Sequence, residues 1–254
     1  MTTKHLSAIL AIAFACLMAG AAHASGGVYL DDLTVTNYST PMFTDHFNDP
    51  TLRGWSNLHD VSLGQMGEGS YLLYMNAHSD QAATAWRQLN MKDAGVVEVS
   101  FKMLVTPPDE QYKYKKDTFS LFYLVLASGN TPATAKAIVS LKQHEKGNRV
   151  SIAVQQTTTP ATPQAKPEPG KPMLPTLGLQ NATLKNLGAM SPGLVIQPKT
   201  WVLVTLKLDS KKSMASVLVD NKEIVSKPYK PQDFQSVRGI WLWSTYGDGA
   251  KPKK

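Results

Sequence analysis

Cysteine is almost missing from this chain of 254 residues, since Cys16 is its single example. That residue lies in an N-terminal stretch that begins with a basic Lys4 and continues as small and apolar residues to a small-residue cleavage site ending at Ala24. The pattern predicts a signal peptide over residues 1–24, cleaved after Ala24, and hence a secreted or periplasmic protein. Loss of Cys16 with this peptide leaves no disulfide, no thiol nucleophile and no cysteine metal site.

The sequence also lacks long apolar runs and an excess of acidic over basic residues. No later run reaches the roughly 20 apolar residues of a membrane helix, so no membrane span is predicted. The formal net charge is +7, which favours an anionic partner such as an acidic polysaccharide, unless the charge serves only solubility. No nucleic acid partner is predicted, because the sequence holds no basic helix or recognisable binding motif. The sequence leaves the oligomeric state open.

Catalytic motifs are also missing. The sequence contains no G-x-S-x-G, H-E-x-x-H or Walker loop. Glycoside hydrolysis needs a pair of carboxylates, and acids at positions i and i+2 of a strand would share one face. Glu98 instead stands alone between two valines. We therefore predict no catalytic residue.

What the sequence does contain is alternation with a period of two. In the run Trp201–Asp209, Val202, Val204, Leu206 and Leu208 share one face, which is typical of a half-buried strand. Asp220-Asn221 follows a second such run and tolerates the positive φ of a two-residue hairpin turn. Many short strands separated by Gly, Pro and Asn predict an all-β fold, an antiparallel two-sheet sandwich.

One stretch of different composition interrupts the pattern of strands. Residues from about 157 to 193 are rich in Pro and Thr, and proline lacks the N–H that a sheet ladder needs. We interpret this stretch as a mobile insertion between two adjacent strands of a single domain, residues 25–254.

The strand pattern resembles a known superfamily. The runs FTDHFND, VEVSFKM, TFSLFYLVL, WVLVTLKLD, ASVLVDNKEI and RGIWLWST together resemble the concanavalin A-like lectin/glucanase superfamily, in its laminin G-like branch. The resemblance implies a jelly roll of two curved sheets with a glycan groove on a concave face. It also implies that Val28–Thr36, which comes first here, fills the place of the strand that ordinarily closes such a domain. The alternative is that this segment is left over from an upstream module.

Aromatic residues supply the candidate ligand-binding site. Trp241 and Trp243 lie two apart and therefore share one strand face, and Trp86, Arg87 and Tyr246 could join them. Flat rings suit the C–H faces of sugars, and an arginine suits hydroxyls or a uronate. The alternative is that these tryptophans fill the core between the sheets, as we expect of Trp201.

No cofactor is predicted to be required. The resemblance implies, at most, a structural calcium near Asp31 and Asp45, since loop oxygens suit that ion. The functional prediction is an exported, non-catalytic carbohydrate-binding module for a poly- or oligosaccharide, with acidic glycans among the candidates. The alternatives are a glycoside hydrolase or polysaccharide lyase, including a keto-disaccharide hydrolase-like domain, and a structural envelope protein.

Overall fold

The computed structural model consists of β-strands and their connections. It describes residues 28–67, 70–75, 83–91, 94–105, 112–113, 117–130, 134–144, 147–155, 184–190, 194–230, 236–244 and 251–252. Within these ranges no helix has the length and apolar character that crossing a membrane requires. The strands are β1 (Val28–Asn37), β2 (Thr40–Asp45), β3 (Trp55–His59), β4 (Val61–Gly67), β5 (Ser70–Met75), β6 (Ala83–Met91), β7 (Val96–Val105), β8 (Tyr112–Lys113), β9 (Asp117–Ala127), β10 (Ala135–His144), β11 (Gly147–Gln155), β12 (Leu184–Ala189), β13 (Trp201–Asp209), β14 (Met214–Val219), β15 (Lys222–Pro228), β16 (Val237–Ser244) and β17 (Lys251–Pro252).

Two antiparallel sheets contain most of these strands. The eight-stranded sheet has the order β15-β14-β13-β7-β1-β5-β4, with β2 also beside β1. The seven-stranded sheet has the order β12-β11-β10-β9-β16-β6-β3. The short strands β8 and β17 pair only with each other. The predicted all-β, antiparallel two-sheet jelly roll is confirmed.

The alternation of β13 places Val202, Val204, Leu206 and Leu208 in the core, as predicted. Val204, Leu206 and Leu208 are fully buried in the cluster between the sheets. The strand leads to β14, and the turn from β14 to β15 has φ values of 49° at Asp220 and 63° at Asn221. This confirms the two-residue turn with positive φ at both positions.

The opening strand β1 is an integral part of the eight-stranded sheet. It pairs with β7 on one side. On the other side its first half, Val28–Leu30, pairs with β5, and its second half, from Leu33 to Asn37, pairs with β2. The two halves meet at a register shift after Asp31, where Asp32 has φ 50°. Both edges of the segment are hydrogen-bonded, so it occupies an interior place in the ladder, as the closing-strand interpretation requires.

The core lies between the inner faces of the two sheets. Phe101 of β7 and Phe122 of β9 meet across the interface with ring centroids 5.9 Å apart. Both rings are almost fully buried, and each such ring contributes about 1.5–3 kcal/mol by leaving water. This burial matters because a chain with a single cysteine has no internal disulfide to restrict its unfolded state.

The predicted insertion is shorter than the sequence suggested. Leu184–Ala189, assigned to it by composition, forms β12 and pairs with β11. The strands β11 and β12 are therefore neighbours in the seven-stranded sheet, and a mobile insertion between adjacent strands stays a prediction. The mixed sequence LKNLGA concealed an edge strand because it shows no clear alternation. Residues 156–183 and the predicted signal peptide, residues 1–24, lie outside the described residues.

Candidate functional site

A second apolar cluster covers the outer face of the seven-stranded sheet, the face turned away from the other sheet. In β16, Ile240 and Leu242 belong to the core, whereas Trp241 and Trp243 belong to this outer cluster. The predicted common face of the two tryptophans is thus confirmed, but that face does not point between the sheets. The cluster contains Trp86, Val125, Ala127, Ala135, Ile138, Trp241 and Trp243, with Tyr123 packed against it.

Trp86 is held on this face by its two neighbours on β16. It is directly opposite Trp241 in the ladder, and the two ring centroids are 5.1 Å apart at an interplanar angle of 39°. A Cβ atom on Gly239 would overlap carbons Cζ2, Cη2 and Cζ3 of the Trp86 ring. Gly239 therefore allows the indole to lie against the backbone of β16, a close approach that a side chain would prevent.

Beside Trp86 the surface opens into a cleft of about 730 Å³. Three separate segments supply its walls: the end of β6, the turn after β9 and the start of β16. Such a volume lies in the range of small-molecule sites. The lining residues are Trp86, Gln88, Asn90, Met91, Gly129, Asn130, Ser236 and Arg238.

The cleft offers amide and guanidinium groups to a ligand. The side chains of Gln88, Asn90, Asn130 and Arg238 are exposed. Gln88 Nε2 donates to Asn90 Oδ1 at 3.3 Å, which aligns the two amides along one edge of β6. Each amide carries both a donor and an acceptor, so the pair can bond hydroxyl groups in either direction.

The indole nitrogens of Trp241 and Trp243 are buried on this face. Among the described residues neither N–H finds an acceptor. A buried donor without an acceptor costs about 1–3 kcal/mol. The outer cluster is therefore an apolar surface in which two polar groups are kept at a cost to stability.

Arg87 does not join the tryptophans. It directly follows Trp86, so its side chain leaves the strand on the opposite face. Its guanidinium donates to the carbonyl of Arg53 at 2.5 Å and lies over the Phe43 ring, 4.5 Å from the centroid. Arg87 thus stabilises the corner near β3 and is absent from the cleft. Tyr246, the remaining member of the predicted set, lies outside the described residues.

Trp201 also departs from expectation. It lies next to Val202, which is in the core, so it faces outward from the eight-stranded sheet and is half-buried. The same alternation that placed Val202 inside excludes Trp201 from the core.

The two aspartates predicted near a calcium ion accept hydrogen bonds from N–H groups. Asp45 Oδ1 accepts from the backbone N–H of Phe47 at 2.7 Å, and its Oδ2 accepts from the indole of Trp55 at 2.8 Å. Asp31 accepts from the N–H of Asp32 at 2.8 Å. Calcium takes about six to eight oxygen ligands, and no group of three or more His, Cys, Asp or Glu that could hold a metal occurs in the part of the chain described. Calcium near Asp31 and Asp45 stays a prediction.

The outer face of the eight-stranded sheet is charged instead. The Asp32 carboxylate contacts His46 Nδ1 at 2.6 Å and Lys102 Nζ at 2.5 Å. The hydrogen bonds from Lys102 and His46 lower the pKa of Asp32. By contrast, burial is the main cause that raises the pKa of Asp31. These groups satisfy one another and form a surface with ion pairs.

Sequence reasoning missed every polar residue of the cleft. Gln88, Asn90, Asn130 and Arg238 belong to no motif. The one available signal was Gly239, an isolated glycine within the apolar strand RGIWLW, because glycine in a strand often marks a bulge or the close approach of another group.

Comparison with known proteins shows what the fold is similar to. The carbohydrate recognition domain of Emp46p in its potassium-bound form is 10% identical with a TM-score of 0.46, over 78% of this chain and 85% of that one. The GlcNAcα1-4Gal-releasing endo-β-galactosidase from Clostridium perfringens is 12% identical with a TM-score of 0.42, over 83% and 59% of the two chains. Alginate lyase Aly36B is 11% identical with a TM-score of 0.36, over 67% and 72%. No family model and no curated protein matches the chain.

These likenesses are too distant to carry an activity. The architecture itself is two antiparallel sheets packed face to face around one core, which is the sandwich that the sequence predicts, and the concanavalin A-like superfamily stays a resemblance. The laminin G-like branch stays a prediction.

Proposed function

We propose that this chain is a lectin-like module that binds an oligo- or polysaccharide in the cleft beside Trp86 without cleaving it. The observation that carries the proposal is the combination of an indole with amide groups in one cleft. Trp86 is 6% exposed, and the exposed part of its ring offers an apolar contact to a pyranose. The amides of Gln88, Asn90 and Asn130 suit its hydroxyl groups, and such a mixture of apolar wall and few polar groups is typical of a ligand site.

Binding is favoured over catalysis by the composition of the sheet that carries the cleft. Hydrolysis with retention or inversion uses two carboxyl groups about 5–10 Å apart. Among the residues of its seven strands there is one acid, Asp117, and the described residues that line the cleft include none. The catalytic alternatives, a hydrolase or a lyase, predict shortened or unsaturated products when the protein is incubated with a glycan that it binds.

The test is titration against neutral and acidic oligosaccharides with the wild type and a Gln88→Ala/Asn130→Ala double variant. We expect the double variant to bind about 5- to 150-fold more weakly, because each of the two lost hydrogen bonds contributes about 0.5–1.5 kcal/mol. Gln197→Ala is the matched control, since Gln197 is an exposed amide just before β13 of the other sheet. Failure of every glycan to bind, or equal affinity of the double variant, would contradict the proposal.

We also propose export with cleavage after Ala24, on the strength of the N-terminal pattern alone. Mass spectrometry of the protein produced with its own N-terminus should give a chain that begins at Ser25. A chain retained in the cytoplasm at full length would contradict this proposal and leave the cleft unaffected.

A further inference from the structure

We propose that the cleft selects acidic sugars, and that Arg238 binds the carboxylate of a uronic acid residue. This inference rests on the proposed function and names the class of saccharide. Arg238 is exposed and lines the cleft. Across the described residues its guanidinium is in no ion pair, and the other polar side chains of the cleft are uncharged.

Arg238 reaches the cleft because β16 is irregular at that point. The register with β6 shifts between Val237 and Gly239. Val237 and Ile240 are both fully buried in the core, which regular alternation does not allow for residues three apart. The irregularity leaves Arg238 and Gly239 turned outward together, and bulges commonly redirect side chains beside functional sites.

Arg238 and Gly239, the two residues turned outward, contribute different features to the cleft. Gly239 gives the Trp86 ring its place on the backbone, and Arg238 places a cation in the wall of the same cleft. One local irregularity therefore allows Trp86 to pack beside the cleft and places a positive charge in its wall. A uronate presents the matching pair of surfaces, a pyranose ring and a carboxylate attached to it.

The charge of the sheet supports an anionic ligand. Its strands contain a single acid, Asp117, and six basic residues, which are Arg87, Lys136, Lys142, Arg149, Lys185 and Arg238. The eight-stranded sheet differs, because there Lys102 is paired with Asp32 and Lys207 lies near Glu98. An unpaired guanidinium in a predominantly basic sheet attracts anions, and its planar fork matches the two oxygens of a carboxylate.

The test compares uronic acid tetrasaccharides with their carboxyl-reduced forms, which keep the linkage and lose the charge. The probes are tetramannuronate, tetraguluronate, tetragalacturonate and a hyaluronan tetrasaccharide, titrated at about 0.15 M salt. For at least one pair we expect the acidic form to bind at least tenfold more tightly. Arg238→Gln should remove that preference, and Arg238→Lys should restore part of it, since lysine keeps the charge without the fork.

Lys227→Gln is the matched control, because it removes one exposed positive charge from β15 of the other sheet. It should leave the preference unchanged, and thermal denaturation should show that all variants fold. Equal affinity for acidic and reduced forms would overturn the inference and leave glycan binding intact. A preference that survives Arg238→Gln would overturn the role of Arg238. Absence of binding to every saccharide of both panels would overturn the proposed function together with the inference.

Discussion

The outer faces of the two sheets differ in how they satisfy polar groups. On the eight-stranded sheet, charges are matched: the Asp32 carboxylate contacts both His46 and Lys102. On the seven-stranded sheet, aromatic rings cover the strands, two indole N–H groups have no acceptor among the described residues, and Arg238 is without an ion-pair partner there. The two indole N–H groups are buried and their residues do not line the cleft, whereas Arg238 is exposed in the cleft and can meet a ligand. The difference between the faces supports the proposal that the site lies on the seven-stranded sheet.

The largest expected effect is a difference in stability between variants of two tryptophans, one on each face of the seven-stranded sheet. Trp55 and Trp243 are equally buried, at 7% and 8% exposure. The Trp55 indole donates to Asp45 Oδ2 at 2.8 Å, whereas the Trp243 indole has no acceptor within the described chain. Trp55→Phe should therefore destabilise the protein by about 1.5–3 kcal/mol more than Trp243→Phe, the contribution of a hydrogen bond to a charged group.

Chemical denaturation of both variants measures this difference. The substitution removes the same atoms at both positions, so the loss of packing largely cancels between them. Equal destabilisation would show that the Trp243 nitrogen has a partner in solution, and the contrast between the two faces would then be wrong.

A smaller effect is expected at Gly239. Gly239→Ala places a methyl group where the Trp86 ring lies, and forced repacking of this kind costs about 1–3 kcal/mol. We expect lower thermal stability and weaker saccharide binding together, because the ring that moves is a wall of the cleft.

Gly64→Ala is the control on the other sheet. Its added Cβ would lie 3.4 Å from a ring carbon of Tyr29, an ordinary contact. Stability should change by less than about 0.5 kcal/mol. Unchanged binding by Gly239→Ala would show that Trp86 can leave its place without affecting the ligand.

The sequence predicted the sandwich well because strand faces follow from local alternation. The period of two predicted correctly that Val204 and Leu242 face the core. The pair Asp220-Asn221 predicted correctly the turn that it forms. The same rule, applied strictly, would also have separated Arg87 from Trp86 and kept Trp201 out of the core. Those errors arose because the residues were grouped by chemical type, without regard to the strand face that each one occupies.

The cleft could not be predicted in this way. Gln88, Asn130 and Arg238 come from three segments that are distant in sequence. Only the neighbour relations among β6, β9 and β16 bring them together, and strand order is a property of the whole sandwich. The outward position of Arg238 additionally depends on an irregular register, which breaks the alternation used for prediction.

The smallest effect is expected when a low pH protonates the ion-paired Asp32 on the eight-stranded sheet. The lowered pKa of Asp32 means that its carboxylate stabilises the native state at neutral pH. This contribution is complete above the unfolded pKa of about 3.9, and it is lost as the pH falls through the lower native value. Asp32→Asn should therefore reduce the difference in unfolding free energy between pH 7 and pH 3 by a few tenths of a kcal/mol, because the pair is partly exposed and screened.

Asparagine is the appropriate replacement, since Asp32 has φ 50° and asparagine tolerates this region better than most residues. Glu98→Gln is the control: it removes the same charge from the same sheet, but the Glu98–Lys207 separation of 3.8 Å is much longer. Its effect on the pH dependence should be smaller than that of Asp32→Asn, and 1 M salt should shrink both. A pH dependence unchanged by Asp32→Asn would show that the charges of this face are only adjacent, and the two outer faces would then differ in their aromatic residues alone.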